Sequence, residues 1–175
     1  MIVTAKNLLA AFALVSHAAF AAGHAHVHGI AKLDIAVDAG SLVVQFESPL
    51  DNLLGFERAP RTDAERRQVD TALARLKSPV MFSIDPAAQC QLDRAELSSS
   101  ALKLGHPDPK EEEQGHADID GRFEFSCLNA HKATYVDVGL FGFDHLQQLE
   151  VQVATPHGQF RRDLKRPAHR IELTK

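Results

Sequence analysis

The feature that most constrains this chain is a period-two alternation broken by turn chemistry. From Val27 to Val37 the apolar residues Val27, Ala31, Leu33, Ile35 and Val37 fall on one side, and His26, His28, Lys32 and Asp34 on the other. A spacing of two is that of a half-buried strand, because successive side chains leave opposite faces of the backbone. Asp38-Ala39-Gly40-Ser41 then has hairpin-loop chemistry, and Leu42, Val44 and Phe46 resume the alternation. The first two strands are expected to pair antiparallel.

Further strand-like runs follow at Cys90 to Leu97, Arg122 to Cys127, Tyr135 to Val138, Leu149 to Val153, Phe160 to Leu164 and Arg170 to Leu173, with Thr155-Pro156-His157-Gly158 as a tight turn between two of them. Only one segment has helical spacing. Thr62-Asp63-Ala64-Glu65 matches a capping box, and Val69, Ala72, Leu73 and Leu76 recur three and four apart, which predicts an amphipathic helix over residues 62–77, ended by Pro79. Pro49 to Pro60, containing Gly55, reads as a long irregular connection. The expected fold is mainly β (α+β): an antiparallel sheet or sandwich-like arrangement with one helix packed on it. At 175 residues and 45% hydrophobic, the chain is long enough for one domain with a real core and too short to promise two.

The N-terminus carries an export address. Lys6 precedes an apolar run from Leu8 to Val15, and a small-residue stretch ends at Ala19-Phe20-Ala21. This is the layout of a secretory signal peptide over residues 1–21, with cleavage after Ala21 or after Gly23. The run is shorter than the ~20 residues a spanning helix needs, so no stable membrane anchor is expected. A single domain over residues 22–175 then remains, in an oxidising compartment where Cys90 and Cys127 read as one structural disulfide; the rival reading, two thiolate metal ligands, lacks the short Cys-x-x-Cys spacing. A formal net charge of -4 argues against nucleic acid as a partner, because phosphate binding calls for a basic face.

The remaining anomaly is histidine, with 10 residues in the full chain, of which only His17 leaves with the leader. His24-Ala25-His26-Val27-His28 is the sharpest cluster. On a strand, alternate side chains leave the same face ~6.5 Å apart, so neighbouring imidazoles can converge on one metal ion. With cleavage after Ala21, His24 is the third residue of the mature chain. A free amine, two backbone amides and its imidazole then suit Cu2+ or Ni2+ in a square-planar site. A second segment, Gly105 to Gly121, holds His106, Asp108, three consecutive glutamates, His116 and Asp118 without periodicity, and is expected to be an exposed, mobile loop. Its imidazoles and carboxylates suit a zinc-like ion, and a plain solvated loop has the same composition. His131, His145, His157 and His169 stand singly, as surface or capping residues do.

No Gly-x-Ser-x-Gly, His-Glu-x-x-His or phosphate-cradling glycine loop occurs in the sequence. A non-enzymatic metal-binding protein is therefore expected. The alternatives are an exported zinc- or copper-dependent enzyme using the same ligands, and an interaction module without metal.

His26-Val27-His28-Gly29 before a strand, the block Glu47-Ser48-Pro49-Leu50-Asp51-Asn52-Leu53-Leu54-Gly55-Phe56-Glu57-Arg58-Ala59-Pro60, Cys90, His116-Ala117-Asp118, Phe123 to Cys127, and Val151 to Gln159 together resemble the ZrgA-type periplasmic zinc-uptake proteins. The resemblance spans essentially the whole mature chain and is most specific from Ser48 to Pro60, an irregular block whose Leu53, Leu54 and Phe56 cap the core or which docks to a transporter component. It implies zinc binding in the periplasm of a Gram-negative bacterium, in support of an ABC-type zinc importer. Carried over by position, it makes His26, His28 and His116 the candidate zinc ligands, with His24, His106 and Asp118 as auxiliaries. Related proteins often carry a long histidine-rich insertion where this chain has only His106 and His116 among acids. That departure favours a single defined site over high-capacity buffering.

Overall fold

A computed structural model describes residues 27–107 and 117–174. The expected signal peptide, His24, His26 and residues 108–116, which include His116, lie outside them. The strands are β1 (Ile30–Asp38), β2 (Ser41–Pro49), β3 (Phe82–Ile84), β4 (Cys90–Ser98), β5 (Asp118–Cys127), β6 (Tyr135–Val138), β7 (Gln148–Thr155), β8 (Gly158–Lys165) and β9 (Arg170–Glu172). Two helices, α1 (Asp51–Leu54) and α2 (Asp63–Leu76), lie between β2 and β3. Six strands form one sheet in the order β4-β5-β2-β1-β7-β8, and three form a second in the order β3-β6-β9. The mainly β, sandwich-like reading holds.

The alternation works as the sequence requires. Leu33 and Ile35 of β1 face inward beside Leu42, Val44 and Phe46 of β2, all buried, and the two strands pair antiparallel with Leu33 opposite Phe46. Phe46 and Phe123 of β5 stack at 6.2 Å between ring centroids. Phe82 of the second sheet meets Phe123 edge-on at 4.8 Å, joining the two sheets through one apolar core. The helix α2 adds Val69, Ala72 and Leu76 to that core.

Three local readings are corrected. The first strand begins at Ile30, not Val27: His28 and Gly29 form a turn, and Val27 is 58% exposed, so His28 does not belong to the polar face of a strand. Gly29 sits at φ +83°, a conformation that ends the alternation on the N-terminal side. The segment predicted as a loop over 105–121 is strand from Asp118 onward, because Asp118 to Gly121 pair with Pro49 to Phe46. Phe82–Ile84 is a strand too short to show periodicity. One pairing is also parallel, β1 with β7, between strands more than a hundred residues apart.

The capping box at α2 is present. Glu65 N donates to Thr62 Oγ1 at 3.1 Å, and Glu65 Oε2 accepts from Thr62 N at 3.4 Å. The same carboxylate accepts two hydrogen bonds from Arg58, at 2.9 and 2.7 Å, and one from Arg61 N at 2.5 Å. The Arg58 guanidinium, then the Arg61 amide, hold the Glu65 carboxyl down at about 2, against an ordinary value of 4.5. A carboxyl lowered by folding contributes its full stability above the ordinary value, and that contribution is lost as pH falls toward the lowered one. Between about pH 4.5 and 2 the Tm of the wild type is therefore expected to fall more steeply than that of Glu65→Gln; parallel thermal-unfolding curves would contradict this.

Candidate functional site

The starts of β1, β5 and β7 and the ends of β2, β4 and β8 all lie at one end of the six-stranded sheet. At that end the buried Asn52 joins the chain before β1 to α1. Its Oδ1 accepts from Gly29 N at 2.6 Å, and its Nδ2 donates to Ile30 O at 2.8 Å and to Ser48 Oγ at 3.0 Å. Asn52 is 0% exposed and fully engaged, so it fixes the turn bearing His28 against the helix that begins with Asp51. Gly29 O in turn accepts from Gln147 N at 2.8 Å and Gln148 N at 2.9 Å, tying the same turn to the loop that carries His145. Arg166 holds that loop from the other side, donating from Nε to Leu146 O and from Nη2 to Phe143 O, both at 2.7 Å.

Four side chains of metal-binding types meet there. Asp51 Oδ2 lies 3.7 Å from His28 Nδ1 and 3.9 Å from His145 Nδ1. Glu57 Oε1 lies 2.9 Å from His28 Nε2. That oxygen is shielded from solvent, yet the approach lacks the alignment of a hydrogen bond, and among the described residues no other group bonds to it. The imidazoles of His28 and His145 are 60% and 57% exposed, and the carboxylates of Asp51 and Glu57 24% and 28%. Gly55 lies beneath His145 at φ +74°: a Cβ there would stand 3.3 Å from His145 Cε1, so glycine serves both the left-handed end of α1 and the space under the ring. Among the described residues, no three His, Cys, Asp or Glu side chains enclose an ion as they stand.

Of the candidate ligands read from sequence, His28 belongs to this group. Asp118 is at the same end of the sheet, at the foot of β5 beside Pro49, where Leu50 N donates to Ala117 O at 2.9 Å. It is 8% exposed and two strands from β1, about 10 Å at the usual strand spacing. His106 is exposed, just beyond the Ser99–Leu104 bridge that closes the turn after β4. The 106–118 segment thus leaves and re-enters the sheet at the His28 end. Sequence reasoning missed Asp51, Glu57 and His145 as partners of His28. The only available signal was their acid and imidazole chemistry, which in isolated loop residues points nowhere in particular.

Cys90 and Cys127 form the expected disulfide, at the opposite end of the β4–β5 pair. No described helix is long and apolar enough to cross a membrane. No curated protein matches the chain. A family model described as "ZrgA family zinc uptake protein" matches residues 25–173, from just before the His28 turn to the last strand and beyond. With most of its length covered by that match, the chain belongs to the ZrgA family of zinc uptake proteins.

Proposed function

We propose that this protein is exported to the periplasm, binds zinc there and supports uptake of the ion by an ABC-type importer. Family membership supports the zinc-uptake role. The observation that carries the binding reading is the convergence of imidazole and carboxylate groups at one end of the sheet, around His28. His24 and His26 precede His28 directly in sequence and are proposed as ligands with it. His106, His116 and Asp118, on the segment that returns to the same end, are proposed as auxiliaries. Donors this exposed favour carriage of an ion over water activation in an enclosed pocket.

Imidazole binds zinc only when neutral, so protons compete with the metal below the ordinary histidine pKa of ~6.5. Titration calorimetry with zinc is expected to show micromolar or tighter binding near pH 7.5, weakened about 100-fold near pH 5.5 if two imidazoles must each lose a proton. Binding that survives unchanged in His26→Ala/His28→Ala would remove the N-terminal assignment.

A further inference from the structure

We propose that one zinc ion is held between His28, Asp51 and His145, with Glu57 orienting the His28 ring from its far side. This rests on the zinc-binding reading above and gives that reading a specific site.

Ligand atoms on a tetrahedral zinc with bonds near 2.0 Å stand about 3.3 Å apart. The two edges that meet at Asp51 Oδ2, 3.7 Å to His28 Nδ1 and 3.9 Å to His145 Nδ1, exceed that only slightly. Both imidazoles are more than half exposed, so small side-chain rotations can close the gap without moving the backbone. The backbone itself is fixed by Asn52 at the His28 turn and by Arg166 at the His145 loop.

The second carboxylate distinguishes this arrangement from an ordinary surface ion pair. Glu57 Oε1 faces Nε2 of the same ring whose Nδ1 faces Asp51. A carboxylate on the far nitrogen of a ligating imidazole holds the proton there and leaves the near lone pair for the metal. Glu57 Oε1 is buried without a hydrogen bond, and a slight turn of His28 toward the metal position can supply one. Two carboxylates facing two imidazoles also leave net negative charge whenever the rings are neutral, the state in which a dication is favoured. Three protein ligands leave a fourth corner for water or a further imidazole, an arrangement suited to an ion that must be handed on.

The test is a calorimetric zinc titration of the full mature chain near pH 7.5, repeated with cobalt(II), whose visible absorption reports tetrahedral nitrogen and oxygen ligation. Asp51→Asn, nearly isosteric, and His145→Ala, on an exposed ring, are each expected to weaken zinc binding about 100-fold and to abolish the tetrahedral cobalt bands. Glu57→Gln is expected to keep the bands and weaken binding about 10-fold. Unchanged affinity and cobalt spectrum in the Asp51→Asn/His145→Ala double variant would overturn this site while leaving zinc binding by the protein intact. A wild-type chain that binds no zinc would overturn both readings together.

Discussion

Replacement of Asn52 by alanine is expected to destabilise the fold by about 3 kcal/mol and to weaken zinc binding, although Asn52 touches no ion. The side chain makes three hydrogen bonds from a fully buried position, to Gly29 N, Ile30 O and Ser48 Oγ. Its loss leaves the Gly29 amide without its acceptor and the other two groups short of a donor. An unsatisfied buried group costs about 1–3 kcal/mol. Water entering the truncated space recovers part of that, hence the lower end of the summed range of about 3–9 kcal/mol. The functional effect follows from what the bonds join: without them the His28 turn and the first residue of α1 no longer share a fixed frame. Urea unfolding gives the first quantity and a zinc titration of the folded variant the second. A loss below about 1 kcal/mol, or full zinc affinity in a destabilised variant, would show that Asn52 does not set the site's geometry.

Removing the disulfide should separate stability from binding. Cys90 and Cys127 lie 37 residues apart and close a loop that contains β4 and the whole 99–117 connection. Loop-closure entropy for that length amounts to about 4 kcal/mol of stabilisation. Cys90→Ala/Cys127→Ala is therefore expected to unfold at much lower denaturant concentration. Cys127 stands beside the β1–β2 hairpin, its amide donating to Gly40 O at 2.9 Å, at the end of the sheet away from His28. Below its unfolding transition the double variant is expected to bind zinc as the wild type does. A large loss of affinity in the folded variant would place the candidate site under the control of the far end of the sheet, contrary to the geometry.

How far the sequence reveals such a protein depends on the range of the interactions involved. The β1–β2 hairpin, the α2 capping box and the β7–β8 turn rest on residues a few positions apart, and each was legible. The disulfide was legible because a chain read as exported, with two cysteines, has one pairing. The candidate site draws on contacts that local patterns do not encode. The parallel pairing of β1 with β7, Ile30 opposite Gln148, brings His145 alongside His28, and nothing in either strand's alternation names its partner. Asp51 and Glu57 lie in a connection of Pro, Gly and Asn, where the visible signal is backbone conformation. The irregular Ser48 to Pro60 block, read from sequence as a cap on the core or a docking segment, also supplies both carboxylates that face His28. Of these four side chains the sequence singles out only His28, and for a strand-face geometry that the turn at Gly29 replaces.

The most direct test of zinc binding is the metal content of the untagged protein isolated from a bacterial periplasm, by elemental analysis against protein concentration. About one equivalent of zinc per chain is the expected result, retained through gel filtration at neutral pH and released by acid. A chain isolated without metal, and taking up none when zinc is added back, would contradict it.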